Sequence, residues 1–261
     1  MVLAIGYAIN TLPGAMVGGA AQALAVMSEA AYAGWRVRPV LRDHLSQPSD
    51  QPPLTWRAFA NFYIPLALTS LITLLWQPVG SAALSRMPSA LNSLAVWPVL
   101  SGLTFLLRSF GFAINEVVVA LLSREGAYKQ LKSFSRWLAF STTTLHLLIV
   151  ATPLAGLYFS RVSALPPDLA ELARIGFWLA LPMPALSVYQ NWFQGTILFG
   201  RLTRSIPEAV AVFFVTVLIV LGIGVALGRF TGLYVAMTGF VLANFTQMVW
   251  LWYRSREVRV E

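Results

Sequence analysis

One arginine lies inside a long apolar stretch, and its position is the strongest sign of chemistry in this sequence. Arg108 falls near the centre of the apolar segment 89–122. A charged side chain at bilayer mid-depth costs at least about 2.5–3.5 kcal/mol on insertion scales, so such residues usually face the interior of a helix bundle. There Arg108 either binds an anionic group in a water-filled cavity or forms a structural ion pair.

Polar side chains recur around Arg108 at helical spacing. At about 100° per residue, Ser101, Thr104 and Asn115 share the face of Arg108, and Glu116 lies about 80° round from it. This pattern predicts a polar stripe along one helix. We expect Glu116 to be the ion-pair partner of Arg108 or a proton carrier.

Two other apolar segments carry polar stripes. One follows the prolines Pro182 and Pro184, and another ends beside Pro78; their members are Ser187, Gln190, Asn191 and Gln194 in the first, and Ser70, Thr73 and Gln77 in the second. Broken helices with polar faces are common at transporter binding sites. Amides also join helices to one another, and serine or threonine often bonds its own helix, so both interpretations stay open. The predicted substrate contacts are Arg108, Asn115, Glu116, Gln77, Gln190, Asn191 and Gln194.

Signatures of enzymes are missing. The sequence has no HExxH, GxSxG or Walker A motif, no cysteine and two histidines. Few groups are therefore left for acid–base or metal chemistry. We expect neither an enzyme nor a metal or cofactor site.

The elements that would position these residues are membrane helices. The chain has 261 residues, of which 57% are hydrophobic and 11% charged, whereas a soluble domain has about 25% charged residues. The apolar runs are continuous, which favours helices over a barrel. We predict an all-α integral membrane protein with about seven spans, at 12–35, 59–84, 89–122, 136–159, 167–199, 206–227 and 231–253. Pro98 and the Pro182/Pro184 pair predict bends in the two longest spans.

The basic residues predict the orientation of these spans. The net charge of +8 comes from residues in loops rather than from one binding face, which argues against a nucleic-acid partner. Arginines and lysines gather after the first, third and fifth spans and in the C-terminal tail. Under the positive-inside rule these segments are cytoplasmic, so we expect a multi-pass plasma (inner) membrane protein with its N-terminus outside and its C-terminus in the cytoplasm.

Three segments give the chain a resemblance to a known family. They are residues 62–68 (FYIPLAL), residues 91–99 (LNSLAVWPV), and residues 175–188 (IGFWLALPMPALSV) followed by two spans that end in WLWYRSR. In this order the chain resembles the C-terminal half of the multidrug/oligosaccharidyl-lipid/polysaccharide exporter superfamily (MOP), which includes the MATE transporters, lipid flippases and the progressive-ankylosis family. The Pro182/Pro184 break most resembles the last of these.

The resemblance implies two six-helix lobes around a central cavity, and export by rocking of the lobes. Residues 1–58 would then hold the end of the first lobe: a partial helix, one transmembrane helix and a basic linker. Residues 59–261 would form the second lobe. The rest of the first lobe would be supplied by a longer chain, of which this is a fragment, or by a second copy in a homodimer.

The chain also departs from the family. Some cation-coupled MATE members use acidic residues in the second lobe's first and fourth helices, whereas spans 59–84 and 167–199 hold acids only at the outer end, at Asp168 and Glu171. A sodium site of that type is therefore in doubt. We expect a secondary-active exporter or flippase of an anionic or phosphate-bearing small molecule or lipid-linked substrate. The alternative is a membrane scaffold or assembly subunit whose polar stripes only hold helices together.

Overall fold

The structure is a computed structural model that describes residues 14–44, 55–124, 126–200, 202, 204–256 and 258. The described residues form helices and no strand. The chain divides into two compact units, Met1–Trp56 and Arg57–Glu261. In the first unit the described residues form one long helix, α1 (Gly14–His44), whose side chains, including Glu29, are almost all exposed within that unit. The predicted partial helix at residues 1–9 lies outside the described residues.

The second unit is a bundle of helices. Its elements are α2 (Trp56–Leu84), α3 (Ala90–Leu121), α4 (Ala127–Ala151), α5 (Pro153–Leu157) with a π-helical turn (Tyr158–Val162), α6 (Pro167–Leu179), α7 (Met183–Phe199), α8 (Ser205–Leu227) and α9 (Gly232–Ser255). Helix α7 is central, because it packs along α3 and also contacts α4 and α9. Helix α8 packs mainly on α9.

Several of these helices have the length and composition of membrane spans. Helices α3, α8 and α9 are each long and apolar enough to cross a bilayer, and two bent helix pairs bring the total to as many as five among the described residues. Many large apolar side chains of the bundle point outward, which suits contact with lipid. The protein is therefore all-α with several membrane-length apolar helices, as the composition indicates. These elements correspond to the last five predicted spans, and α1 and α2 to the first two.

The predicted span 136–159 is interrupted by a bend. Helix α4 already begins at Ala127 and ends at Ala151, and the following pair of short helices bends away by 70°. The break lies at Thr152, whose backbone is extended (φ −104°, ψ 169°). A residue before proline avoids the helical region, and Pro153 follows as the first residue of α5.

Proline acts differently in the two longest predicted spans. Around Pro182 the chain turns between α6 and α7, and the two helices are bent by 41°. At Pro98, however, α3 runs without interruption from Ala90 to Leu121. The predicted break is thus present at Pro182, and α3 remains one helix through Pro98.

Glycines bring α3 and α7 into close contact. A Cβ atom built on Gly111 would lie 2.7 Å from Ser187 Oγ and 2.8 Å from the backbone nitrogen of Val188. A Cβ atom on Gly195 would lie 2.9 Å from Val118 Cβ. Small residues at such crossings let membrane helices approach closely. In the same contact the Ser187 hydroxyl donates to the Arg108 carbonyl at 2.9 Å.

The α3–α7 contact gives a stability prediction. Gly111→Ala should lower the thermal stability of the detergent-solubilised protein, because the new methyl group meets backbone atoms that cannot move aside. Overpacking of this kind typically costs about 1–3 kcal/mol. Gly222→Ala in α8 is the control, since a Cβ atom there would meet nothing within 4 Å. Equal melting temperatures for the two variants would contradict the close contact.

Candidate functional site

A cavity of about 640 Å³ lies among α2, α3, α8 and α9. Its walls combine aromatic and polar side chains, and no carboxylate lines it among the described residues. The lining residues are Trp76, Gln77, Trp97, Pro98, Ser101, Gly102, Thr104, Phe105, Arg108, Val210, Phe213, Met237, Phe240, Asn244 and Gln247. This is the volume of a site for a small organic molecule.

Aromatic rings build one wall of the cavity. Trp76 stacks on Phe240 with 5.1 Å between ring centroids and 9° between planes. Trp97 and Phe213 each approach Trp76 edge to face, at 5.7 and 6.0 Å. Offset stacking and edge-to-face contacts are the favoured geometries of aromatic pairs. The result is an ordered wall that a flat apolar group can pack against.

Arg108 provides the positive charge of this cavity. One of its terminal nitrogens (Nη2) donates to Asn244 Oδ1 at 3.0 Å. Its guanidinium carbon lies 5.1 Å from the centre of the Phe240 ring, within the range of a cation–π contact. The Nε atom is buried and has no hydrogen-bond partner among the described residues. The guanidinium group is therefore only partly satisfied by the protein.

A short network orients Asn244 toward Arg108. The Asn244 Nδ2 atom donates to the Phe240 carbonyl at 2.7 Å, which directs Oδ1 to the guanidinium group. Gln190 on α7 donates to the Asn244 carbonyl at 2.9 Å and to Gln247 Oε1 at 3.1 Å. The amide assignments follow from these bonds. The site is thus fixed from α7 as well as from α9.

Glu116 is not the partner of Arg108. Its side chain is exposed on α3, and the salt bridges in the described part of the chain join Arg174 to Glu171 and Arg254 to Glu208. On a helix, residues eight apart are separated by about 12 Å along the axis, too far for contact between these side chains unless both extend. The expected ion pair is therefore replaced by a neutral amide contact between two helices.

The predicted residues have different surroundings. Gln77 and Arg108 line the cavity, and Gln190 reaches it through Asn244 and Gln247. Asn191 instead donates to the Ser187 carbonyl of its own helix at 2.8 Å. Asn115 and Gln194 are half-buried and do not line the cavity, and Asn115 Oδ1 is without a hydrogen-bond partner among the described residues.

The hydroxyl residues of the stripes contribute less. Ser101 and Thr104 line the cavity, but each hydroxyl donates to a carbonyl one turn back in α3. The side chains of Ser70 and Thr73 lie outside the described part of the structure. His146 is buried at the α4–α6 contact, where Nε2 lies 3.1 Å from the Phe177 carbonyl and the ring stacks on Phe177.

Sequence reasoning missed the contribution of α9. Phe240, Asn244 and Gln247 recur at intervals of four and three, which places them on one helical face. That spacing could have identified these three residues from the sequence. The aromatic residues Trp76, Trp97 and Phe213 carried no such signal, because aromatic side chains are common throughout an apolar chain.

Comparisons with known proteins add no identification. No protein-family model, curated protein or solved structure matches this chain. The function of the site is therefore inferred from its geometry. An arginine that lines a cavity beside stacked aromatic rings can bind an anion that carries an apolar or aromatic body.

The contact between Arg108 and Asn244 can be tested by a double-mutant cycle. We expect Arg108→Met and Asn244→Leu to be less than additive in free energy of unfolding, with a coupling of about 0.5–2 kcal/mol, the range for hydrogen bonds between membrane helices. Unfolding by denaturing detergent gives the four stabilities. A matched cycle on the Thr216–Thr246 contact between α8 and α9, at 2.9 Å, serves as reference. Strict additivity at Arg108 and Asn244 would argue against the contact.

Proposed function

We propose that this protein is a membrane transporter, or one lobe of a transporter, that carries an organic anion through the Arg108 cavity. The observation that supports the proposal most is the incompletely satisfied guanidinium group of Arg108 beside the stacked Trp76 and Phe240 rings. A cavity lined by aromatic rings and one cation favours substrates with a flat apolar body and a carboxylate, sulfonate or phosphate group.

Electrostatics favours an anionic substrate. An arginine inside a membrane bundle is costly and is generally stabilised by an acidic partner or by several polar groups. Here one amide oxygen accepts from it, and no carboxylate lines the cavity among the described residues. A bound anion would accept further hydrogen bonds from the guanidinium group. The substrate would thus supply the negative charge that the described lining residues lack.

The proposed transport mechanism is alternating access. The break between α6 and α7 lies in the helix pair that leads to Gln190, so a change in the 41° bend would move the support of Asn244 and Arg108. We propose secondary-active export or flipping of the substrate across the plasma (inner) membrane, with the basic loops cytoplasmic. A second lobe, from a longer chain or a second copy in a homodimer, would close the other side of the pathway.

One observation favours the alternative, a non-transporting membrane scaffold. Several polar side chains are used in contacts between or within helices: Asn191 bonds its own helix, and Thr216 on α8 contacts Thr246 on α9. Such bonds hold helices together without any substrate. A scaffold does not, however, need a cavity of about 640 Å³ beside Arg108.

Transport of a dye pair distinguishes the two functions. In proteoliposomes that contain the full chain, and after subtraction of the leak in protein-free liposomes, we expect faster movement of carboxyfluorescein, an aromatic anion, than of rhodamine 123, a cation of similar shape. Arg108→Gln should reduce carboxyfluorescein movement at least about tenfold, since a hydrogen bond to a charged group contributes about 1.5–3 kcal/mol. The control Arg174→Gln removes an exposed arginine outside the cavity and should leave the rate unchanged.

Three results would count against the proposal. Protein-dependent movement of rhodamine 123 alone would exclude the anion site. Equal rates for Arg108→Gln and the unmodified chain would remove Arg108 from the pathway. Absence of movement for both dyes, with the protein correctly inserted and cross-linked as a dimer, would favour the scaffold.

A further inference from the structure

A second cavity, of about 580 Å³, lies among the first turns of α4, the second half of α7 and the end of α9. We call it the basic cavity, because three cations line it without a carboxylate among the described residues. Its lining residues are Tyr128, Lys132, Ser135, Arg136, Tyr189, Trp192, Phe193, Thr196, Trp252, Ser255, Arg256 and Val258. It shares no lining residue with the Arg108 cavity.

The cations come from α4 and from the residue that follows α9, and two of them contact aromatic rings. The guanidinium carbon of Arg256 lies 4.6 Å from the centre of the Trp252 ring, and Lys132 Nζ lies 5.7 Å from the centre of the Tyr128 ring. Neither of these residues nor Arg136 takes part in a salt bridge within the described part of the chain. Three positive charges around one concave space attract an anion, and the aromatic contacts leave their N–H donors available.

A buried hydroxyl indicates that this cavity is a specific binding site. Ser135 is 2% exposed, and its Oγ atom has no hydrogen-bond partner among the described residues. Serine on a helix readily bonds a carbonyl of its own previous turn, as Thr142 does further along α4. A buried hydroxyl that lacks such a bond is costly unless a ligand or water accepts from it.

A groove on the outer face of α4 adjoins the basic cavity. It has a volume of about 330 Å³, is lined by Ser133, Arg136, Trp137 and Phe140, and shares Arg136 with the basic cavity. Trp137 and Phe140 are 67% and 65% exposed and meet edge to face. Exposed aromatic rings beside a basic residue are typical of the membrane interface, where lipid chains meet headgroups.

We propose that the basic cavity binds the phosphate group of an anionic lipid, with an acyl chain lying along Trp137 and Phe140. Lys132, Arg136 and Arg256 contact the phosphate oxygens, and the Ser135 hydroxyl donates to one of them. Charge alone would also admit a soluble phosphate. The adjoining groove favours the lipid, because a soluble ion has no use for an exposed apolar path that ends at Arg136.

The site would fix the position of α4 relative to α7 and α9. Lys132 and Arg136 lie on α4 and Arg256 follows α9, so one phosphate between them joins elements that are distant in the chain. An anionic lipid would then stabilise the bundle at this end. This role does not depend on what the Arg108 cavity carries.

Native mass spectrometry of the intact chain in detergent tests the proposal with phosphatidylglycerol as probe. We expect phosphatidylglycerol to bind more tightly than phosphatidylcholine with the same acyl chains. Lys132→Gln, Arg136→Gln and Arg256→Gln should each weaken phosphatidylglycerol binding about fivefold, the contribution of one basic residue near an anionic membrane surface. The matched control is Lys129→Gln, an exposed cation on the same helix outside the basic cavity.

Ser135→Ala distinguishes binding at a specific site from attraction of the lipid by surface charge alone. It leaves every charge in place and removes only the unpartnered hydroxyl, so a loss of phosphatidylglycerol binding in this variant supports the cavity. Equal weakening by Lys129→Gln and Lys132→Gln, or unchanged binding in Ser135→Ala together with the three charge variants, would overturn the proposal. Binding of inorganic phosphate in place of the lipid, with displacement of phosphatidylglycerol, would overturn the assignment to lipid.

Discussion

The bundle depends on how a positive charge is accommodated among apolar helices. Arg108 cannot be solvated by lipid, and its carboxylate partner is absent among the described residues. Its position instead relies on Asn244, on the face of Phe240, and on the network that holds Asn244 in place. These contacts require α3, α7 and α9 to meet at one depth. The arrangement of the surrounding helices therefore satisfies a constraint set by one side chain.

The close packing of α3 against α7 serves that constraint. Gly111 lies three residues from Arg108 and permits α7 to approach so closely that Ser187 bonds the Arg108 carbonyl. Three residues beyond Ser187, Gln190 reaches across to Asn244. Helix α7 thus bonds the backbone of Arg108 and the backbone of Asn244, whose side chain accepts from the guanidinium group. Because the α3–α7 contact is closely packed, movement of α7 would displace the guanidinium group of Arg108.

The two cavities differ in their location and in the number of cations that line them. The Arg108 cavity places one cation among stacked rings inside the bundle, which suits a flat organic anion. The basic cavity gathers three cations at one end of the bundle, beside exposed aromatic side chains. The number of cations in each cavity follows from how well its surroundings can screen charge. A site inside the bundle can hold few uncompensated charges, whereas a site near the membrane surface is partly screened by water and headgroups.

The sequence by itself determined the helical, membrane-length character of the chain. Composition and long apolar runs leave few alternatives in lipid, where each segment must satisfy its own backbone. The boundaries of α3, α8 and α9 follow the apolar runs within one or two residues. The local rule for a residue before proline, at Thr152, was also present in the sequence, although a continuous apolar run concealed the break.

Only the tertiary structure decided which polar residues meet. Helical spacing placed Arg108, Asn115 and Glu116 near one face. In the structure Asn115 does not line the cavity, Glu116 is exposed, and Asn244 on a distant helix accepts a hydrogen bond from the guanidinium group. Periodicity relates residues within one helix and carries no information about the neighbouring helix or its rotation. Partners from α2, α8 and α9 depend on how the helices pack, and that packing is set by glycines, rings and amides acting together.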